Sequence, residues 1–358
     1  MKYINSIFIA FLSFLLFSCV QDVPTADDHF LNYEIPNTPP EFDYVVGAHY
    51  QQFSWASGVK EVPSLGYYNS VDPAVFKQHV SWANDGGIDY FLLNLRSAAI
   101  PSAFKADSTT IERLMEAENS MEINFALNYN FSGLGLSDAN RIEDVDMAVE
   151  TFIKDFEKMT YFFDKENYQK LDGKVVVYVS GAHELFAHDN ITLIQQLRET
   201  LANFGEGYEL YLIGEQWQWT PPLRYHFRFQ DAFDAVTHTS YVLVDQASYD
   251  RYVMFHQYTD QALIYSQQAL NEINLDYIPQ FSPSFTGKIL NPTSKTYDFP
   301  KDEQWFITNC NIAKRSAPGN RMVILDSFNN WNSDKQIEPA QSYGDKYLKI
   351  LREQFKVN

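Results

Sequence analysis

Cysteine is nearly absent from this 358-residue chain, which carries only Cys19 and Cys310. With Cys19 assigned below to another role, no intrachain disulfide is expected, and a core alone must hold the fold. Basic residues are scarce too: 27 Lys and Arg stand against 46 Asp and Glu, a formal charge of −19. That surface argues against nucleic acid as a partner and against adsorption to anionic lipid. It leaves an anionic polysaccharide open, because a local basic cleft can override the global sign. No glycine-rich dinucleotide fingerprint occurs: "VGAHYQQF" lacks the second and third glycines, so no nicotinamide or flavin cofactor is expected. G-x-S-x-G, His-Glu-x-x-His and paired C-x-x-C are all missing, and His183 and His188 are five apart, off one helical face. No metal is expected, although a barrel could still assemble a distributed site from His49, His238 and Glu215. There is no internal repeat and no low-complexity segment.

The one long apolar run lies at the start. Lys2 precedes "IFIAFLSFLLF", which is too short and wrongly flanked for a stable membrane span. "LFSC" reads as a lipobox, so residues 1–18 are expected to be a lipoprotein signal peptide, with Cys19 acylated after cleavage at Ser18. An ordinary secretory signal with an incidental cysteine is the alternative, and both readings export the chain. "QDVPTADDHFLNYEIPNTPPEF" has no helical period and suits an extended acidic tether over 19–42. An acidic stretch after a lipidated cysteine also resembles the export signal of surface lipoproteins, which implies an outer-membrane, cell-surface location held by the lipid anchor alone.

From residue 43 to 358, β-rich runs alternate with helical patterns. The strand candidates are 44–50, 88–94, 123–129, 174–180, 209–215, 234–240, 276–282 and 321–327. Most are near-continuous apolar runs, as parallel strands buried on both faces must be. The clearest helix has Asp72 as N-cap, Pro73 at its first position, Phe76, Val80 and Ala83 on one face, and Gly86-Gly87 as a stop. Others are expected over 142–163, 190–204, 247–271, 299–316 and 340–355, with the second and fifth of the series weakly marked. Eight such units, in a chain whose 45% hydrophobic and 16% aromatic content can fill one large core, predict an α/β fold, a single (β/α)8 TIM barrel.

In a barrel, function sits at the carboxyl ends of the strands. Those positions are His49 and Tyr50; Asn94 and Arg96; Asn128, Tyr129 and Asn130; Ser180, His183 and Glu184; Glu215, Gln216, Trp217 and Trp219; His238 and Tyr241; Gln280, Ser282 and Ser284; then Asp326, Asn329 and Asn330. Amides and hydroxyls match sugar hydroxyls, and aromatic faces stack on pyranose rings. Each residue also has a plainer role, as a helix-capping amide or a hydrogen-bonded core histidine. As a group they predict a carbohydrate cleft.

Three stretches carry a resemblance: "GYYNSVDPAVFKQHVSWANDGGIDYFLLN" (66–94), "LDGKVVVYV" (171–179) and "ILDSFNNWNSDKQIEP" (324–339). They resemble glycoside hydrolase family 99 and its family 71-like and polysaccharide-biosynthesis (WbsX-like) relatives, over nearly all of 46–339. The resemblance implies a barrel acting as a retaining endo-α-mannosidase through two glutamates of a terminal "NEWHE" and a carboxylate after the third strand. Here Asn330, Ser333 and Asn130 occupy those positions, while Trp331, Gln336, Glu338 and Pro339 match the frame. Neither Asn nor Ser can give a proton to a glycosidic oxygen near neutral pH.

Three readings follow, all with a polysaccharide or oligosaccharide partner. One is a glycosidase with relocated acids, Glu215 and Asp326 at strand ends and Asp334 or Glu184 in loops. Another is a uronate lyase or dehydratase in which His49, His238, Tyr241 or Tyr129 moves a proton while Arg96 neutralises a carboxylate. The third is a glycan-binding lipoprotein of a polysaccharide utilisation system. In each, Tyr50, Asn94, Arg96, Asn128, Tyr129, Asn130, Trp217, Gln280, Asn330 and Trp331 are the expected sugar contacts.

Overall fold

A computed structural model describes residues 33–53, 59–137, 139–216, 226–239, 255–294 and 298–357. Among the described residues of the unit 35–358, strand and helix alternate eight times. The barrel strands are β1 (Val45–Tyr50), β2 (Tyr90–Arg96), β3 (Asn124–Asn130), β4 (Lys174–Ser180), β5 (Leu210–Gln216), β6 (Ala235–His238), β7 in two pieces (Asp276–Tyr277 and Gln280–Phe281) and β8 (Met322–Leu325), and a two-residue strand, Lys170–Leu171, pairs antiparallel with β4. After them in turn come α1 (Pro73–Gly86), α2 (Pro101–Leu114), α3 (Ala148–Phe163), α4 (Asn190–Ala202), α5 (His226–Phe229), α6 (Phe255–Asn271), α7 (Glu303–Ser316) and α8 (Lys346–Phe355).

All eight strands run parallel in chain order, and β8 returns to β1 with Val45 opposite Met322. Closure depends on the broken strand β7. Its first piece pairs with β6 and its second with β8, on either side of Pro279, which has no amide hydrogen to give. Ile278 N donates to Val236 O (2.9 Å) and Ile324 N to Pro279 O (3.0 Å), so the ladder survives the break. The chain is thus the (β/α)8 barrel expected from its sequence.

Two apolar layers fill it. Outward side chains such as Val46, Ala48, Phe91, Leu127 and Val177 pack under the helices. Inward ones, among them Tyr90, Leu92, Ala126, Val176, Ile213 and Ile324, plug the lower lumen. Tyr90 lies across that lumen only because Gly47 faces it: a Cβ there would stand 2.3 Å from the Tyr90 ring.

The helices follow their sequence signals. Asp72 accepts from Ala74 N (2.9 Å) to open α1, and Gly87, at φ 75°, closes it in the left-handed region. The expected weakness is real after β5, where α5 is one turn long, whereas after β2 α2 is a full 14-residue helix. Only Ala103, Ile111 and Leu114 are buried along α2, too few to mark its period. Cys310 is a free, buried thiol on α7. The expected tether is not loose up to residue 42. Thr38 N donates to Asn311 Oδ1 (3.0 Å), Lys314 Nζ donates to Thr38 O, and Ile35 packs on the core. Residues 35–42 therefore belong to the barrel unit, and the signal segment and Cys19 lie outside the described residues.

Candidate active site

Above the apolar plug, the next inward residue of each strand is polar. Alternation carries Leu92 to Asn94, Ala126 to Asn128, Ile213 to Glu215, Ile278 to Gln280 and Ile324 to Asp326, with His49 and Tyr178 at the same face. These residues form the floor of the mouth at the strands' carboxyl ends.

Glu215 is its centre, and it is only 6% exposed. Its Oε1 accepts from Tyr178 Oη (3.0 Å) and its Oε2 from Ser180 Oγ (2.8 Å) and Gly181 N (3.3 Å). Gln280 Nε2 donates to Tyr178 Oη and reaches Oε1 at 3.5 Å. Two strands and a left-handed glycine turn thus fix one carboxylate from several sides. Asp326 is held differently, by Lys335 Nζ at 2.5 Å, in a pair with side chains 14% and 5% exposed. The His49 ring meets the Tyr178 ring edge-on at 5.3 Å.

Both carboxylates act on that ring pair. Burial lowers the His49 imidazole below its ordinary value; Asp326 and Glu215 pull it upward, and Lys335 opposes them. Burial, Glu215 and Asp326 together push the Tyr178 hydroxyl well above its usual range, so it serves as a donor and not as a base. Asn94 and Asn128 stand side by side in register, and the Asn128 Oδ1 has no partner among the described residues.

Two cavities lie at this end of the barrel. One, of ≈ 620 Å³, is lined by Asn130, Ser132, Ser180, Gly181 and Glu184, and so borders the residues that hold Glu215. The other, of ≈ 780 Å³, lies among the β1, β7 and β8 exit loops, between Lys60, Lys288, Asp298 and Asp334.

Several expected site residues face elsewhere. Tyr50 is outward, donating to Ser70 O (2.7 Å) and 2.9 Å from His79 Nδ1, packed on Phe76 and Phe91. Tyr129 likewise donates to Asp155 on α3 (2.8 Å). Trp331 is 2% exposed and donates from Nε1 to Glu338 Oε2 (2.8 Å), so its face is core and not a sugar platform. His238 lies behind the sheet, 2.6 Å from Gln216 Nε2 and 3.0 Å from Tyr277 Oη, and does not join His49 and Glu215. Arg96 stands at the mouth, but its fork is taken by Asp107 at 2.8 and 2.6 Å, which corrects its reading as a free carboxylate receptor. Asn130 Oδ1 turns back to accept from Ser132 N (2.8 Å), and Asn330 is half-buried, its backbone N–H donating to Ser327 Oγ (2.7 Å). Trp217, Trp219 and Tyr241 lie outside the described residues. Among the described residues, no three His, Cys, Asp or Glu side chains gather as metal ligands.

Sequence reasoning missed Tyr178 and Lys335. Tyr178 sits inside an apolar run that reads as buried strand. Lys335 is in a loop whose fold back onto Asp326 has no local signal.

The model of the family described as "Glycosyltransferase WbsX" matches residues 144–351. A solved structure described as a glycoside hydrolase-like protein is 37% identical, with 93% of this chain and 99% of that one covered and a TM-score of 0.86. The family 99 endo-α-mannosidase of Bacteroides thetaiotaomicron shares the fold at 14% identity and a TM-score of 0.65, covering 88% of this chain and 96% of its own. A GH5_18 protein from Bifidobacterium longum subsp. infantis does so at 9% identity and a TM-score of 0.56, over 88% and 80%. No curated protein matches. A family match over more than half of the chain and a near full-length relative at 37% identity make this chain a member of the WbsX family, with the barrel fold that the family 99 endo-α-mannosidase also has.

Proposed function

We propose that the protein hydrolyses a glycosidic bond of an oligosaccharide or polysaccharide, with Glu215 at the reacting carbon or its attacking water and Glu184 as proton donor. The observation that carries this reading is the fixed lumenal carboxylate of Glu215, hydrogen-bonded by Tyr178, Ser180 and Gly181. The other carboxylates suit the acid role poorly. Asp326 is bound by Lys335, and Asp334 by Lys60 at 2.9 Å and Lys301 at 3.5 Å, so each carboxylate is already committed to a cation. Glu184 has no such partner among the described residues and lines the cavity shared with Asn130. The family resemblance puts a carboxylate at Asn130, so Glu184 would return an acid to the space from which that position withdrew it.

Glu184 then passes its proton to the glycosidic oxygen as the C–O bond breaks. Glu215 either bonds to the anomeric carbon, to be released by water that Glu184 deprotonates, or takes the proton of a water attacking directly. Asn94, Asn128 and Gln280 supply amides for sugar hydroxyls. Elimination is less well supported, since Tyr178 is held as a donor and the Arg96 fork is filled. Residues 1–18 and Cys19 would deliver the enzyme through export to a lipid-anchored surface position.

The test is a glycan panel with products read by mass. Hydrolysis adds one water per cleavage, whereas transfer to a sugar acceptor and elimination do not. Glu215→Gln and Glu184→Gln should each lower turnover by at least about 10²-fold with substrate still bound. Undiminished cleavage by Glu215→Gln ends the assignment.

A further inference from the structure

We propose that Gln52 is a specificity-determining residue of the mouth, its Nε2 acting with Asn128 Oδ1 to hold two free hydroxyls of one neutral sugar ring. Built on the sugar-cleaving reading of the site, this assignment limits the ring bound there to an uncharged one with unsubstituted hydroxyls.

The two sides of the floor differ in how their polar groups are satisfied. Toward β4–β8, Glu215 is bonded by Tyr178, Ser180 and Gly181, Gln280 reaches Tyr178, and Lys335 pairs with Asp326. Toward β1–β3, Gln52 Nε2 and Asn128 Oδ1 are buried and have no hydrogen-bond partner among the described residues. A buried polar atom without a partner is uncommon in a folded protein, and at the mouth of a barrel it points to a ligand group as the missing partner.

Gln52 is held so that its NH₂ is the end left over. Its chain neighbours are pinned on both sides: Asn329 exchanges two hydrogen bonds with the Gln51 backbone (2.7 and 3.1 Å), and Ser70 Oγ accepts from Phe53 N (2.6 Å) and donates to Phe53 O (2.9 Å). Gln52 Oε1 accepts from Asn94 N (3.1 Å), which carries the contact between β1 and β2 beyond their last paired residues, Tyr50 and Leu93. That bond settles which end of the amide is oxygen, so Nε2 is a donor aimed by the scaffold. Asn128 stands in register with Asn94, one strand spacing of about 4.8 Å away, so a sugar ring lying over Asn94 reaches both amides. A hydroxyl can accept or donate: one accepts from Gln52 Nε2, and another donates to Asn128 Oδ1.

The charges nearby oppose an acidic ring. The Arg96 fork on β2 is filled by Asp107, Lys335 is committed to Asp326, and Glu215 adds a carboxylate to the same floor. A uronate carboxylate or a sulfate ester on this ring would meet those carboxylates with Arg96 and Lys335 already paired, and it would bring Asn128 Oδ1 no proton. An O-acetyl group fails on the second count alone.

The test is affinity electrophoresis of the full chain in gels of α-mannan, arabinogalactan and dextran, each beside its O-acetylated form, with polygalacturonate as the acidic comparison and a glycan-free gel as reference. At least one neutral glycan should retard the wild type, and its acetylated mate at least about tenfold less. Gln52→Glu keeps an oxygen for Asn94 N and removes the donor, so its retention should fall by about tenfold or more. Asn128→Leu should lose as much, whereas Asn128→Asp, which keeps the acceptor, should bind within about threefold of wild type. The opposite outcomes of two added carboxylates separate hydrogen-bond direction from charge repulsion, and if one variant fails to fold the other decides. Wild-type retention of Gln52→Glu or Asn128→Leu, equal losses in Gln52→Glu and Asn128→Asp, equal retention by acetylated gels, or retardation by polygalacturonate alone or by no gel would overturn the proposal. Retention is read without turnover, so Glu215→Gln should bind as wild type does. A chain that shows the Gln52 pattern yet releases no hydrolysed product keeps this assignment and loses the hydrolytic one.

Discussion

Glu338 offers the sharpest test of why the segment after β8 has the sequence it has. Its carboxylate is fully buried, and Oε2 accepts from Tyr68 Oη (2.5 Å) and Trp331 Nε1 (2.8 Å), while Oε1 lies 3.2 Å from His79 Nε2 on α1. Glu338→Ala would leave three buried donors without their acceptor. Each orphan costs about 1–3 kcal/mol, but Trp331 Nε1 keeps Tyr68 Oη at 3.3 Å as a second partner, so the sum falls near 3–5 kcal/mol. Glu338→Gln should cost far less. Its oxygen can replace Oε2, and its NH₂ can face His79 if the ring moves its proton from Nε2 to Nδ1. The Nδ1 proton then goes to Tyr50 Oη (2.9 Å), whose own proton already points to Ser70 O. What remains is the difference between charged and neutral hydrogen bonds, about 1–2 kcal/mol. Urea unfolding followed by far-UV circular dichroism measures both, with equal slopes showing that only stability has changed. An alanine variant within about 1 kcal/mol of wild type, or a glutamine variant as unstable as the alanine one, would refute this account.

Two further perturbations probe the lumen and the helix layer. Gly47→Ala drives a methyl into the Tyr90 ring and should cost about 1–3 kcal/mol in the same unfolding assay, with Tyr90→Leu in the Gly47→Ala background restoring part of it. His256, tilted against Trp305 with ring centres 3.9 Å apart, is lowered by burial to about 4, and His49 is shifted the same way. The unfolded chain therefore binds protons that the folded one refuses. Stability from these groups is complete above about pH 6.5 and declines as the pH falls toward 4, by up to about 3 kcal/mol for His256. Thermal unfolding between pH 7 and 4.5 should show the loss, and His256→Phe should flatten it; an unchanged slope contradicts the burial argument.

The eight strands were legible because parallel strands covered on both faces must be apolar almost throughout, and few other elements of this length are. The same property hid the site. When both faces are apolar, alternation exists but does not say which face is the lumen. Asn128 and Asn130 belong to one face of β3 and Tyr129, between them, to the other; the sequence offers all three as strand-end polar groups. Tyr50 and His238 failed as site residues for the same one-residue reason, whereas His49, Glu215, Gln280 and Asp326 fell on the inner face. Tyr178 was lost in the run "KVVVYVS", because a lumenal tyrosine looks like any buried aromatic until its hydroxyl is seen at Glu215. Lys335 could not be found at all, since its pairing with Asp326 depends on how the exit loop folds back.

That loop also explains how the family frame and the family chemistry can part company. Trp331 and Glu338 belong to an anchor that ties the β8 exit to α1 through His79 and to the preceding loop through Tyr68. Asn329 adds a second tie, accepting from Gln51 N (2.7 Å) and donating to Gln51 O (3.1 Å). These contacts need Trp, Glu and Asn for packing and hydrogen bonding, whatever bond the cleft breaks. Asn330 and Ser333 lie between the anchoring residues without belonging to the ties, so neutral side chains there leave the anchor whole. A carboxylate serving the same mouth can come from another strand end, because a barrel brings all eight to one rim. Glu215, near the end of β5, and Glu184, after β4, are carboxylates so placed. The resemblance in "FNNWNSDKQIEP" is therefore evidence about how the barrel is closed, and the chemistry has to be sought across the lumen from it.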